Sequence, residues 1–196
     1  TIPSTAQKLR ELLMLGQCVH SHSLHFFMLA APDFLIGHEV PQEERNILGL
    51  VKKSPDIAKK AIEVRKFGQR LTEAIGGKPI HPSSAIPGGI SHPLSEQKRA
   101  ELLTMAEKSL AIATEGWSMA KGLLDKADLS FGTVDSSFMA LSDKGSFSVC
   151  EGTPQIISPN GSPAGSFNGE GYLQFLEEYS ENWSYLKFVR LTNGNN

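Results

Sequence analysis

The sequence feature that most constrains the fold is an apolar repeat between residues 95 and 127. Its members follow one another at alternating steps of three and four residues, the spacing of a helix face that packs lengthwise against other helices. At about 1.5 Å per residue, the predicted helix from Ser95 to about Ala127 is roughly 48 Å long. It needs partner helices to cover its apolar face, whose members are Leu103, Ala106, Leu110, Ala113, Trp117, Ala120 and Leu124.

The first of two shorter predicted helices runs from Ser4 to about Ala30. Ser4 is followed three residues later by Gln7, a pattern typical of a capping box at a helix N-terminus. Pro32 predicts the end of this helix, because the residue before a proline avoids the α region.

The second shorter helix is predicted from Ser54 to the pair Gly76-Gly77. Ser54 is a favourable N-cap, and glycine accepts the left-handed conformation that ends many helices. Residues 78–93 follow with four prolines and a glycine pair, which exclude a helix or a central strand. Three isoleucines in this segment predict that it packs, so we interpret it as an ordered loop.

The pattern changes after Asp128, where short apolar runs alternate with turn residues. The predicted fold class is mainly α, with long packed helices and a small antiparallel β excursion near residues 133–157. One domain is predicted over residues 1–196, within which residues 128–171 form a β-rich insertion. The predicted pieces are strands at 137–141, 146–150 and 155–157, a hairpin turn at 142–145, a helix at 172–180 and an extended segment at 183–188.

Charge and cysteine usage exclude several classes of partner. The net charge of −2 and the lack of a basic run give no electrostatic argument for nucleic acid or an anionic membrane. Cys18 and Cys150 form no CxxC pair, so their spacing indicates no zinc site or redox pair. A reducing, cytoplasmic location fits this usage. The longest apolar run, residues 26–37, is shorter than the ~20 residues that span a bilayer.

Three of the six histidines, His20, His22 and His25, lie close together on the first predicted helix. At about 100° per residue, only His22 and His25 share a face. That pair permits a metal site, but no carboxylate or cysteine nearby completes a ligand set. Histidines in the core or around a site are the favoured interpretation. His81, between Ile80 and Pro82, is a further candidate, whereas His38 and His92 have no supporting context.

Several segments occur in the order and spacing of a known family. They are IPSTAQKLRELLMLGQ, HSHSLHFFMLAAPDFLIG, RNILGLV, RKFGQRLTEAIGGKPIHP, IPGGIS and WSYLKF. Together they cover nearly the whole chain, which resembles the large, catalytic subunit of nickel–iron hydrogenases, in particular the cytoplasmic bidirectional branch. The resemblance implies part of a large-subunit fold and the reversible oxidation of dihydrogen.

The same resemblance implies that the metal is held outside this chain. In that family, cysteines of an RxCGxC and a DPCxxC motif hold a nickel–iron centre, and neither motif occurs here. The chain is therefore interpreted as an internal fragment without metal ligands or a cofactor of its own, inactive alone. The tail TNGNN does not continue the family pattern. The implied partners are a small subunit with iron–sulfur clusters and a diaphorase or other electron-transfer module.

The resemblance also implies which residues surround the metal. His25 matches a histidine close to the centre but not bonded to it. Ser21 stands where related branches carry an aspartate, and His22 and His81 are assigned to the same surroundings. Two alternatives stay open: a non-catalytic helical scaffold or assembly module related to the large subunit, and a histidine-based metalloenzyme that uses His22 and His25.

Overall fold

A computed structural model of the chain describes residues 1–37 and 39–192. His38 and residues 193–196, which include most of the TNGNN tail, lie outside the described residues. The chain divides into two compact units, Thr1–Phe131 and Gly132–Asn196. The prediction of one domain over residues 1–196, with a β-rich insertion at 128–171, stays a prediction.

The first unit is mainly helical, and the second consists of small antiparallel sheets, so the mainly α fold class is confirmed. The β excursion predicted near 133–157 is too short, because the strands of the second unit run from Phe138 to Leu191. The helices of the first unit are α1 (Ser4–Leu24), a π-helical segment (His25–Ala30), α2 (Ala31–Ile36), α3 (Ile47–Lys53), α4 (Pro55–Gly76) and α5 (Glu96–Leu124), with short 3-10 turns at Gln42–Glu44 and Ser130–Gly132.

The first helix does not stop before Pro32, as the sequence predicted. It continues through the π-helical segment into α2, where Pro32 occupies the first turn. A proline is tolerated there because the first-turn N–H groups need no partner within the helix. The chain leaves the helix only at Gly37, whose φ is 101°. The predicted capping box is also wrong, since Pro3 is the N-cap and no side chain caps α1.

Helices α4 and α5 begin and end close to the predicted positions. Gly77 ends α4 in the left-handed conformation, with a φ of 78°. Ser54 precedes α4, but its side chain does not cap the helix. Ser95 does cap α5, because its Oγ accepts a hydrogen bond of 3.3 Å from the backbone N–H of Lys98.

The buried face of α5 differs from the predicted one. The large members of the predicted face are exposed, and Ala120 is its one fully buried member. Small residues at neighbouring positions bring α5 close to the rest of the unit, and an added Cβ on Gly116 would lie 2.9 Å from the Phe27 ring. The buried residues of α5 are Leu102, Ser109, Ile112, Gly116 and Ala120.

A close helix–helix contact joins α1 to α4 through two glycines. A Cβ built on Gly68 would lie 2.5 Å from the backbone nitrogen of His20 and 2.7 Å from the carbonyl oxygen of Gly16. A Cβ built on Gly16 would lie 3.0 Å from the Oγ1 of Thr72. Any side chain at Gly68 would push the two backbones apart. Leu71 and Ile75 of α4 extend this contact into the core, where they pack with Leu102, Leu9, Leu13, Phe67, Ala74 and Leu94.

The proline-rich segment 78–93 contains a two-stranded hairpin, β1 (Ala85–Ile86) and β2 (Gly89–Ile90). Arg10 of α1 holds the hairpin, since its guanidinium donates hydrogen bonds of 2.8 Å to the carbonyl of Ile86 and of 3.1 and 3.2 Å to that of Gly89. Gly89 sits close to α1, because an added Cβ would lie 3.2 Å from that of Ala6. The segment is an ordered loop, as predicted, but the expected packing of its isoleucines is wrong for Ile80 and Ile86, which are exposed, while Ile90 is half-buried.

The second unit holds a four-stranded antiparallel sheet and a separate two-stranded hairpin. The predicted turn between the first two strands falls at Lys144 and Gly145, which have φ values of 50° and 81°. The strand predicted at 146–150 is only two residues long. The elements are β3 (Phe138–Asp143), β4 (Ser146–Phe147), β5 (Thr153–Ile157), β6 (Pro163–Ser166), a 3-10 turn (Gly169–Gln174), β7 (Leu176–Ser180) and β8 (Lys187–Leu191). The four-stranded sheet has the order β4-β3-β5-β6, and β7 and β8 form the hairpin.

The prediction of a helix at 172–180 is wrong, because β7 occupies most of that range. The extended segment predicted at 183–188 overlaps β8 only at residues 187 and 188. Cross-strand pairs explain the difference. Glu177 accepts hydrogen bonds of 3.0 and 3.1 Å from Arg190, and the Tyr179 ring lies 5.6 Å from that of Phe188. These partners are distant in sequence, so helical spacing within 172–180 could not reveal them.

Replacing Gly68 with alanine tests the α1–α4 contact. We expect Gly68→Ala to lower the free energy of unfolding by about 1–3 kcal/mol, because the added methyl group overpacks two backbones. Gly122→Ala is the matched control, since Gly122 lies within α5 with nothing inside 4 Å of an added Cβ. The control should gain up to about 1 kcal/mol from helix propensity. Denaturant unfolding followed by circular dichroism measures both, and an unchanged stability of Gly68→Ala would contradict the contact.

Candidate functional site

The predicted site residues of the first helix lie on its outer surface. Ser21 and His22 of α1 and His25 of the π-helical segment are exposed. The Nδ1 of His22 lies 2.8 Å from the carbonyl oxygen of Cys18, a hydrogen bond within the helix. The positions of these three side chains leave them available to a neighbouring molecule.

His20 is the inward-facing histidine, although its spacing predicts no separate role for it. Its backbone meets Gly68, and its Nε2 is buried without a hydrogen-bond partner in the described part of the chain. Burial lowers the pKa of His20 below its ordinary value, and the nearby positive charge of Arg65 lowers it further. The signal that could have found His20 is the pair Gly16 and Gly68, which allows α4 to approach this turn of α1.

The loop histidines stand apart from the helix histidines. His81 is exposed and has a φ of 52°, a backbone conformation that residues other than glycine rarely adopt. His92 is also exposed, and its Nδ1 lies 3.0 Å from the Oγ of Ser91. Within residues 1–37 and 39–192, no group of three or more His, Cys, Asp or Glu side chains could hold a metal ion.

An apolar groove runs beside α1, between the π-helical segment and α5, with α4 as its floor. The cavity measures about 380 Å³, and His22 and Ser23 are among its few polar lining residues. Phe26 and Phe27 meet edge to face at the groove, with ring centroids 4.8 Å apart. A lining of this kind can hold apolar side chains, but it offers no ligand set to a metal.

The cysteines do not fit the metal centres of hydrogenases. Cys18 is half-buried on α1, whereas Cys150 lies in the second unit. Iron–sulfur clusters are commonly held by four thiolates, and the chain has two cysteines in total. These residues therefore supply no complete thiolate site for such a centre.

Comparisons with known proteins place the chain near components of hydrogenases. No family model matches it. The chain is 41% identical over 189 residues to the vhu A subunit of the F420-non-reducing hydrogenase of Methanocaldococcus jannaschii, covering 95% of this chain and 45% of the relative. It is 31% identical to the beta subunit of the NAD-reducing hydrogenase HoxS of Cupriavidus necator, covering 97% of this chain and 41% of the relative. The chain thus spans less than half the length of these relatives.

A solved structure shares the fold. The chain matches a crystal structure of NAD+-reducing [NiFe]-hydrogenase in the H2-reduced state with a TM-score of 0.93 and 35% identity. The match covers 98% of this chain and 44% of the other. At this identity and coverage, the arrangement of helices and sheets described above is also found in a chain of that hydrogenase.

The names of the relatives correct the resemblance drawn from the sequence. The prediction of a fragment of the large, catalytic nickel–iron subunit is wrong, because the relatives bear the names of other hydrogenase subunits. One of them is the iron-sulfur A subunit of the F420-non-reducing hydrogenase of Archaeoglobus profundus, which is 29% identical over 93% of this chain and 40% of its own length. The assignment to a large-subunit fold is likewise unsupported.

A physical reason for this error lies in the motifs themselves. The quoted segments contain the glycines and prolines of the α1–α4 packing and of the hairpin loop, but no complete set of metal ligands among the described residues. They identify a fold shared with hydrogenase subunits, and they carry no information on which subunit holds the metal.

One finding bears on the membrane. None of the helices among residues 1–37 and 39–192 combines the length and the apolar character needed to cross a bilayer.

The two causes of the lowered His20 pKa can be separated by titration. In Arg65→Gln, we expect the pKa of His20 to rise but to stay below the ordinary 6.5, because burial, the larger cause, remains. NMR titration of the His20 imidazole measures this shift. A fall in that pKa would contradict the assignment.

The same shift predicts how stability depends on pH. Below about pH 6.5 the unfolded chain takes up a proton at His20 before the folded chain does, so stability falls as the pH falls. His20→Gln removes this contribution. The free energy of unfolding of His20→Gln, measured with denaturant, should therefore fall less between pH 7 and 5 than that of the unchanged protein. An equal fall in the two proteins would contradict a lowered pKa of His20.

Proposed function

We propose that this chain is a helical structural part of a hydrogenase complex, in which polypeptide outside this chain holds the metal cofactors. The observation that supports this most directly is the 41% identity to the vhu relative over 95% of the chain. The TM-score of 0.93 to a chain of an NAD+-reducing [NiFe]-hydrogenase adds support from the fold. The chain's own contribution is a closely packed pair of helices, α1 and α4.

The proposed role of the outward side chains follows from their position. His25, His22 and Ser21 are exposed on one helix, and His81 is exposed on the loop that Arg10 anchors to the same helix. On this proposal Ser21, His22 and His25 border a metal centre held by neighbouring polypeptide, and they orient its ligands through hydrogen bonds. The Arg10 anchor of the loop lies fifteen residues before His25, roughly 22 Å along the helix, so His81 is not assigned to the same contact. His20 faces inward and keeps a structural role.

The proposed partners are the other subunits of the complex. They include subunits that carry iron–sulfur clusters and an electron-transfer module that delivers electrons to a soluble carrier. A cytoplasmic location is part of the proposal, since an enzyme that exchanges electrons with a soluble pyridine nucleotide works where that carrier is found. An independent histidine metalloenzyme has less support, because His22 and His25 gain no third ligand among the described residues.

Purification of a tagged chain from its source tests the proposal. We expect dihydrogen oxidation, measured with a dye as electron acceptor, to copurify with the tag. Nickel and iron should be present in the purified complex and absent from the chain expressed alone. A purified assembly without hydrogenase activity or metal would sink the proposal.

A second test addresses the exposed histidines. His25→Ala should lower the activity of the complex about 10-fold or more while its composition stays unchanged, because losing a group that orients metal ligands typically costs 10–100-fold. His92→Ala is the matched control, since His92 is also exposed but hydrogen-bonded to Ser91. Equal activities of the two variants would show that His25 does not border the centre.

A further inference from the structure

We propose that the outer face of α5 and the adjoining groove form a docking surface for an apolar-faced helix of the same hydrogenase subunit. This inference rests on the proposed function. The outer face consists of Leu103, Leu110 and Trp117, which are 53%, 68% and 62% exposed. These side chains recur every seven residues, so they form a ridge that follows the helix axis.

The charges of α5 leave this face apolar from Leu110 to Trp117, whereas Glu107, four residues after Leu103 and three before Leu110, is exposed on the same side of the helix. Between Glu107 and Lys121 the sequence has two charged residues, Lys108 and Glu115. Both are turned toward α4, where Lys108 pairs with Glu63 and Glu115 accepts hydrogen bonds of 2.6 and 2.7 Å from Lys60. A helix face that stays in water normally carries charged side chains. The outer face of α5 instead has the composition of a surface that becomes buried.

The hydroxyl groups beside the outer face need no outside partner. The hydroxyls of Thr104, Thr114 and Ser118 donate to carbonyl oxygens four residues earlier in α5, at distances of 3.3, 2.8 and 3.0 Å. A buried polar group without a hydrogen bond costs roughly 1–3 kcal/mol. Since these hydroxyls are satisfied within the helix, an apolar partner can cover them without that cost.

The groove continues the apolar surface inward from the outer face. Its cavity of about 380 Å³ is lined almost entirely by apolar side chains of α1, the π-helical segment, α4 and α5. Small residues of α5 alternate here with large ones, so the surface has grooves between ridges, into which the side chains of a facing helix can pack. The lining residues that matter most are Val19, Phe26, Phe67, Ala106, Ala113 and Trp117.

The seven-residue period indicates that the occupant is a helix. A ridge along the axis matches a second helix that crosses at about 20°, whereas a strand or a small ligand has no such period. The matched region is 45% of the vhu protein and 44% of the hydrogenase chain of known structure. Those proteins hold more polypeptide outside the matched region than inside it, and this polypeptide is the proposed source of the helix.

The test is site-specific crosslinking in the hydrogenase complex purified from its source. A photoreactive benzoylphenylalanine replaces Leu110, and mass spectrometry identifies the crosslinked peptide. We expect peptides of the same subunit from outside residues 1–196, with crosslinked positions at helical spacing. Crosslinks to a second copy of this chain, to another subunit or to nothing would overturn the proposal, as would a native reading frame that holds no further polypeptide.

Two variants keep the test independent of the crosslinker. Leu110→Glu places a charge in the proposed interface, and we expect the yield of assembled complex to fall at least about 10-fold. Leu110→Met keeps an apolar side chain of similar volume, so its yield should stay within about twofold of the unchanged protein. Equal yields of the two variants would also overturn the proposal.

The proposed function fails separately from this inference. An assembly without hydrogenase activity, but with the expected crosslink within the subunit, would leave the docking surface standing and remove the hydrogenase assignment. An active hydrogenase in which position 110 crosslinks to a second copy or to another subunit would keep the hydrogenase assignment and remove the proposed docking surface.

Discussion

The close contact between α1 and α4 is the constraint on which the first unit depends. Gly68 has no side chain, so the backbone of α4 can approach that of α1 at His20 and Gly16. This approach decides which side of α1 faces inward. It buries one edge of His20 and leaves Ser21, His22 and His25 on the outside. The two glycines, Gly16 and Gly68, thus determine which residues of α1 are exposed at the candidate site.

The remaining packing extends this helix pair in two directions. Arg10 fastens the hairpin at Ile86 and Gly89 to the first half of α1. On the other side, Gly116 lets α5 approach Phe27, and ion pairs turn Lys108 and Glu115 toward α4. The large side chains that remain outward on this part of α5 are apolar. The unit therefore presents histidines on one helix and an apolar ridge on another, as expected of a surface that other polypeptide covers.

The similarity to hydrogenase subunits gives this arrangement its context. The chain matches less than half of each relative. Each of those proteins therefore contains further polypeptide outside the region that this chain matches. The resemblance drawn from the sequence led to hydrogenases but assigned the wrong subunit. Its motifs are packing segments, and packing segments report a shared fold more directly than they report the location of a metal.

The sequence by itself determined several local boundaries: Gly77 ends α4, Ser95 precedes α5, and the prolines of 78–93 exclude a helix. These boundaries depend on the preferences of single residues. Only the tertiary structure decided that the chain continues as helix through Pro32 and that residues 176–180 pair with 187–191.

The same division appears within α5, where the structure buries Leu102, Ser109 and Gly116 instead of the predicted Leu103, Leu110 and Trp117. Both sets repeat every seven residues, so periodicity could not choose between them. The choice depended on the small side chains that let α5 approach its neighbours, and those neighbours are brought there only by the folded chain.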